Sequence, residues 1–132
     1  MASRSIDALE PSVRARAVAF LGACRARGLD DVLIYCTLRT LDEQAALFAS
    51  GRTRPGPILT NARPGESMHN PDVNGEARAF DAVPSMGGKL LWSDVDSINL
   101  MGAAGEAAGL VWAGRWNGKI REKLHFQGAK HG

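Results

Sequence analysis

His69, Asp81 and His125 supply two imidazoles and one carboxylate. That donor inventory suits a borderline divalent cation such as zinc and leaves a fourth position for water. The spacing matches neither an HExxH helix nor a paired-cysteine zinc site, so a metal centre and a set of ordinarily paired polar residues both stand on inventory alone. Glu122, three residues before His125, is placed to flank such an ion as a general base, or to pair with Arg121 or Lys123 on a solvated loop. Arg39 follows an apolar run and precedes a capped helix, a junction from which a planar guanidinium reaches a substrate carboxylate or a developing oxyanion. Ser67 reads either as a hydrogen-bond donor to the same substrate or as an ordinary turn residue. It has no strand-to-helix nucleophile elbow, and neither Cys24 nor Cys36 has a local histidine partner, which favours water as the nucleophile. His131 reads as a tail residue.

The elements that must carry these residues follow from periodicity. Val13, Ala17, Leu21 and Cys24 recur at helical spacing over 12–27, with Pro11 in the opening turn and Gly28 as the stop. Val32 to Tyr35 form a strand-like run too apolar for an uncovered edge. Thr40 and Glu43 have capping-box spacing and predict a helix over 41–49, with Leu41, Ala45 and Phe48 facing the core and Gln44 on a neighbouring face. Residues 52–75 hold Pro55, Gly56, Pro57, Pro64, Gly65, Pro71 and Gly75 and predict a long ordered loop, a feature common around active sites. Residues 77–83 alternate as a strand with Asp81 on the side of Ala77, Ala79 and Val83. Val95, Ile98, Met101, Gly105 and Ala108 predict a helix over 94–108. Trp112 and Trp116 fall in a glycine-punctuated connection, and 124–127 reads as a short final strand.

With 132 residues, 45% hydrophobic and 23% charged, the composition is that of one soluble globular domain over 1–132, with an ordered core over about 11–127. A net charge of +2 is too small to imply nucleic-acid binding. The longest apolar stretch, Ala17 to Cys24, is far short of the roughly twenty residues of a spanning helix, so no stable membrane insertion is expected. Arg14 and Arg16 interrupt any signal-peptide pattern, and synthesis in a cytoplasm follows as an expectation. The two cysteines read as small buried thiols.

The ordered segments LRTLDEQAALFASGRT, SMH, RAFDAVP and EKLHFQ resemble peptidase family M15, and among its members phage endolysins of the L-alanyl-D-glutamate endopeptidase type. The resemblance implies an α+β Hedgehog/DD-peptidase fold, helices packed around a small antiparallel sheet with a zinc cleft. It implies one zinc ion on His69, Asp81 and His125, Glu122 as catalytic acid/base, Arg39 as a catalytic, substrate-facing group, and Ser67 and Gln44 as substrate contacts. The family's aspartate follows the first histidine by seven positions, the place of Glu76 here, whereas Asp81 follows by twelve. RAFDAVP keeps the residues around the aspartate and Asn74-Gly75 accommodates a turned insertion, so Asp81 is the expected ligand. Ala77 stands where the motif has glycine. The implied partner is the bacterial peptidoglycan stem peptide, cut by a monomer that resides in the host cytoplasm before lysis and reaches the periplasm or wall with a separate holin. A D,D-carboxypeptidase or dipeptidase of the same family is the alternative enzyme. A noncatalytic peptidoglycan-binding or zinc-stabilised structural module is the alternative of a different class.

Overall fold

The structure is a computed structural model that describes residues 2–116 and 120–129. Its elements are α1 (Pro11–Ala26), β1 (Asp31–Cys36), α2 (Leu41–Ala49), β2 (Ala79–Met86), β3 (Lys89–Leu90), α3 (Val95–Ala107), β4 (Val111–Trp112) and β5 (His125–Gln127). Short 3-10 turns occupy Ile6–Ala8, Ala113–Arg115 and Ile120–Leu124. This is the α+β architecture expected: an antiparallel sheet in the order β1-β2-β5-β4, with β3 folded back on the end of β2, and helices packed against it.

Local chemistry accounts for the helices. Glu10 caps α1 by accepting from the Ser12 and Val13 amides, Pro11 occupies its first turn, and Gly28, at φ +83°, ends it. Thr40 and Glu43 form the complete capping box of α2. That helix presents a face the sequence did not suggest: Gln44 is its one buried residue, while Leu41 and Ala45 are exposed. It packs against the polar loop that follows it, so an amide rather than an aliphatic chain points inward. In α3 the buried face is Ser97, Ile98, Met101, Gly102, Ala104 and Gly105, and Val95 is exposed at its start.

The core is organised by alternation. Phe80 of β2 and Phe126 of β5 point to the helices, where they meet Phe20 of α1 with ring centroids 4.8 to 5.4 Å apart. Their neighbours Asp81, His125 and Gln127 therefore point to the opposite face. β1 lies at the end of the sheet, where the sequence argued against an uncovered edge; Val32 and Tyr35 are covered instead by packing on the core cluster, and Tyr35 meets Trp92 edge to face at 5.2 Å. The 77–83 strand begins two residues later than expected and runs on to Met86. Trp112, placed in a connection by the sequence, is a buried residue of β4. Packing extends ahead of residue 11, because Leu9 is fully buried and bridges Ala77. No helix among the described residues is long and apolar enough to cross a membrane.

Two glycines set how closely α3 approaches the sheet. A Cβ on Gly102 would collide with the Trp112 indole, and one on Gly105 with the Phe126 ring, so both aromatic faces rest on bare helix backbone. Gly105→Ala should gain about 1 kcal/mol of helix propensity yet lose more to overpacking, for a net destabilisation of about 1–2 kcal/mol. Urea unfolding measures this, and a midpoint at or above the parent's would contradict the close approach.

Candidate metal centre and active site

The sheet register builds the centre of the site. Asp81 is the direct partner of His125 on β5 and of Cys36 on β1, so the side chains of three neighbouring strands stand side by side on the face away from the core. The fourth component, His69, comes from the long loop between α2 and β2, as the sequence required. That loop is sewn to the chain just after β1, where the Arg39 amide donates to the His69 carbonyl at 2.8 Å and the Asn70 side chain to the Arg39 carbonyl at 3.0 Å, and to the start of β2, where the Arg78 amide donates to the Met68 carbonyl at 2.9 Å. Asn70, buried and accepting from the Gly65 and Ser67 amides, holds the turn together and was not singled out from the sequence.

Outer contacts decide which ring nitrogens face inward. His69 Nδ1 lies 2.8 Å from the Thr37 carbonyl, which only accepts, so Nδ1 carries a proton and Nε2 is the nitrogen that faces Asp81 Oδ1, at 3.2 Å. His125 Nε2 donates to Gln127 Oε1 at 2.9 Å, which leaves its Nδ1 lone pair 3.1 Å from the same carboxylate oxygen. Two inward ring nitrogens thus face one carboxylate oxygen, an arrangement that calls for a positive charge among them, a proton on an imidazole or a metal cation. Donors about 2.0–2.1 Å from a tetrahedral zinc are about 3.3 Å from one another, close to the two separations from Asp81. The donor types and these two separations suit the ion.

The electrostatics agree. Burial works against charging the His69 ring, but hydrogen bonds to Asp81 and Cys36 and the negative charge of Asp81 raise its pKa to about 10. Burial would also push the Asp81 carboxyl up, yet its hydrogen bonds to His125 and His69 hold it well below the usual carboxylate range. The pocket favours a cation where the lone pairs meet. Cys36, His69 and Asp81 form a compact group with donor atoms within 4.8 Å of one another, compatible with a single divalent ion, and His125 joins through its contact with Asp81.

Around this centre the other expected residues take distinct places. Arg39 Nη1 donates to Gln44 Oε1 at 3.0 Å and Nη2 to Cys36 Sγ at 3.6 Å, which fixes the guanidinium between Gln44 and Cys36. Gln44, expected at the substrate, is fully buried with its Nε2 donating to the Ala62 carbonyl; it stands behind Arg39 and orients it, because nothing of its amide reaches the surface. The Ser67 hydroxyl accepts from the His69 amide at 3.1 Å and so shapes the turn that presents the ring. Glu76 lies 3.9 Å from Arg14 of α1, within the tight turn that Asp72 closes around Gly75, and it is Asp81 that stands between the imidazoles. Glu122 is partly buried in the 3-10 turn just before β5, a turn anchored by the Trp112 indole donating to the Lys123 carbonyl at 2.7 Å. Trp116, half exposed, borders His125 with ring centroids 6.0 Å apart, and an open cavity of about 430 Å³ adjoins Arg39 between Ala2, Glu43, Ala46 and Leu47. His131 lies outside the described residues.

No family model matches the chain. It is 34% identical over 127 residues to the peptidoglycan L-alanyl-D-glutamate endopeptidase CwlK of Bacillus subtilis, a match covering 90% of this chain and 72% of that protein. Two solved structures share its fold, each with a TM-score of 0.62 and each covering 98% of this chain. The Serratia marcescens L-Ala D-Glu endopeptidase ChiX is 19% identical, with 89% of its own chain covered. DacB from Streptococcus pneumoniae is 20% identical, with 75% covered. A third, the LdcB LD-carboxypeptidase, has a TM-score of 0.60 at 20% identity, covering 98% of this chain and 74% of its own. Sequence likeness over nine-tenths of the chain meets a Cys/His/Asp cluster suited to one divalent ion, and on both grounds the chain belongs to peptidase family M15, as a zinc metallopeptidase that hydrolyses peptide bonds of peptidoglycan.

Proposed function

We propose that the protein cuts the L-alanyl-D-glutamate bond of peptidoglycan stem peptides and serves as a phage endolysin. The observation that carries the reading is the meeting of His69, Asp81 and His125 beside the oriented guanidinium of Arg39. The bond preference is supported by the names of two similar proteins, CwlK and ChiX, both L-alanyl-D-glutamate endopeptidases. The phage role rests on the motif resemblance, as does the expectation of a monomer that waits in a host cytoplasm and reaches the wall with a holin.

His69, Asp81 and His125 would hold one zinc ion, which when bound supplies Lewis acidity toward a carbonyl and acidifies water. Glu122 takes a proton from the attacking water as its oxygen bonds to the scissile carbonyl carbon. It returns that proton to the amine nitrogen as the C–N bond breaks, and the remaining water proton passes from the new carboxyl group to the amine, leaving a carboxylate and an ammonium. Arg39, held by Gln44, offers its fork to the developing oxyanion or to a stem-peptide carboxylate, a role the buried amide behind it makes geometrically reproducible. Ser67 acts on substrate through any donor capacity left after it accepts from the His69 amide.

Mass spectrometry of products from purified peptidoglycan tests the proposal. Fragments ending in L-alanine and beginning with D-glutamate are expected, lost with a chelator and restored by zinc. Cleavage only between D-alanines would make the enzyme a D,D-carboxypeptidase or dipeptidase, and binding with no cleavage in zinc-replete buffer would return the noncatalytic module.

The roles separate by mutation when zinc content and turnover are measured on the same preparations. Glu122→Gln should keep zinc and lower kcat by about 100-fold or more. Asp81→Asn should weaken zinc retention by about 10- to 100-fold, and Glu76→Gln should leave it unchanged. Full turnover in Glu122→Gln would remove it as the proton carrier, and zinc loss in Glu76→Gln alone would transfer the ligand role to that residue.

A further inference from the structure

Cys36 reads from the sequence as a small buried thiol, and its surroundings give it more to do. In β1 the pairing runs Leu33 with Val83 and Ile34 with Ala82, and then shifts, so that Cys36 rather than Tyr35 opposes Asp81. Without that irregularity Cys36 would oppose Phe80 and share the core face; the extra residue turns its sulfur to the site. The sulfur ends 3.6 Å from His69 Nδ1 and 3.6 Å from Arg39 Nη2, in a residue only 5% exposed.

We propose that Cys36 gives the site a second, softer ligand set, Cys36–His69–Asp81, which captures thiophilic cations such as cadmium and so makes activity depend on which metal is bound. This deepens the metallopeptidase reading and rests on it. The two sets share His69 and Asp81 and differ in the third donor, an imidazole in one and a thiolate in the other.

Geometry ranks them. His69 and His125 each stand from Asp81 at about the separation a tetrahedral ion requires, so two contacts of a borderline ion are already set. The Cys36 group spans up to 4.8 Å, and donor–donor distances near 3.5 Å would need it to contract by about 1 Å. A soft ion gains enough from a sulfur bond to draw that contraction, whereas a harder ion does not. β1 lies at the end of the sheet and carries the irregularity beside Cys36, which leaves its last residue room to adjust.

On binding, the thiol gives its proton to solvent and the sulfur takes up the metal bond, with the Arg39 guanidinium already beside the negative charge. The soft ion then acts against turnover in two ways: it moves away from His125, and it takes the sulfur on which Arg39 rests.

Titration of the metal-stripped protein with cadmium decides the matter. The wild type and Cys24→Ser should both develop the ultraviolet sulfur-to-cadmium charge-transfer band at one equivalent, and Cys36→Ser should not. In chelator competition Cys36→Ser should lose about ten-fold or more in cadmium affinity and no more than about three-fold in zinc affinity. Absence of the band in the wild type, its persistence in Cys36→Ser, or equal losses for the two metals would overturn the proposal. Turnover of the zinc-loaded wild type is measured in parallel: its failure would strike the peptidase reading, while the cadmium spectrum would still decide whether the thiol binds.

Discussion

Two imidazoles and one carboxylate are held against one another at the centre of this protein, a grouping that is stable only with a positive charge among its donors. Asp81 is fixed between Cys36 and His125 by the register of three strands, and His69 is brought over it by a loop tied to the end of β1. The Thr37 carbonyl and the Gln127 amide each take the proton of one ring, which commits the opposite nitrogen to the carboxylate. A divalent ion bound there would take the place of the proton that otherwise supplies that positive charge, with the donors already brought together by the fold. The same negative pocket that raises the pKa of His69 is what a divalent cation would exploit.

The hydrophobic side of the sheet makes this possible. Phe80 and Phe126 are the immediate chain neighbours of Asp81 and His125, and their packing on Phe20 fixes the alternation that turns the polar residues outward. Gly105 of α3 lets the Phe126 ring lie against the helix backbone, so a helix with no residue in the site still determines where His125 stands. Core packing and site geometry are two faces of one strand pair, and a slip of one residue would exchange them.

Much of this was legible in the sequence because it depends on local chemistry. The capping box at Thr40 and Glu43 and the stop at Gly28 set helix limits within a residue. The choice of Asp81 over Glu76 rested on the motif resemblance of RAFDAVP, and the structure puts Asp81 in a strand and Glu76 in a turn closed by Asp72. What escaped depends on distant partners. Gln44 faces inward because the loop at Ala62 and the Arg39 guanidinium need an amide between them, which no helical periodicity reports. Cys36 enters the site through an irregularity of strand pairing, visible only once β1 and β2 are aligned. β4 is two residues long and exists through its pairing with β5, so its buried Trp112 looked like part of a connection.

The most direct test of the account is X-ray absorption at the zinc edge of the loaded protein. The account expects a shell of nitrogen and oxygen donors with multiple scattering from two imidazoles and no sulfur, as His69, Asp81 and His125 require. A sulfur at about 2.3 Å in place of one imidazole would contradict it, because zinc would then sit with Cys36 and the convergence on Asp81 would have no ion of its own.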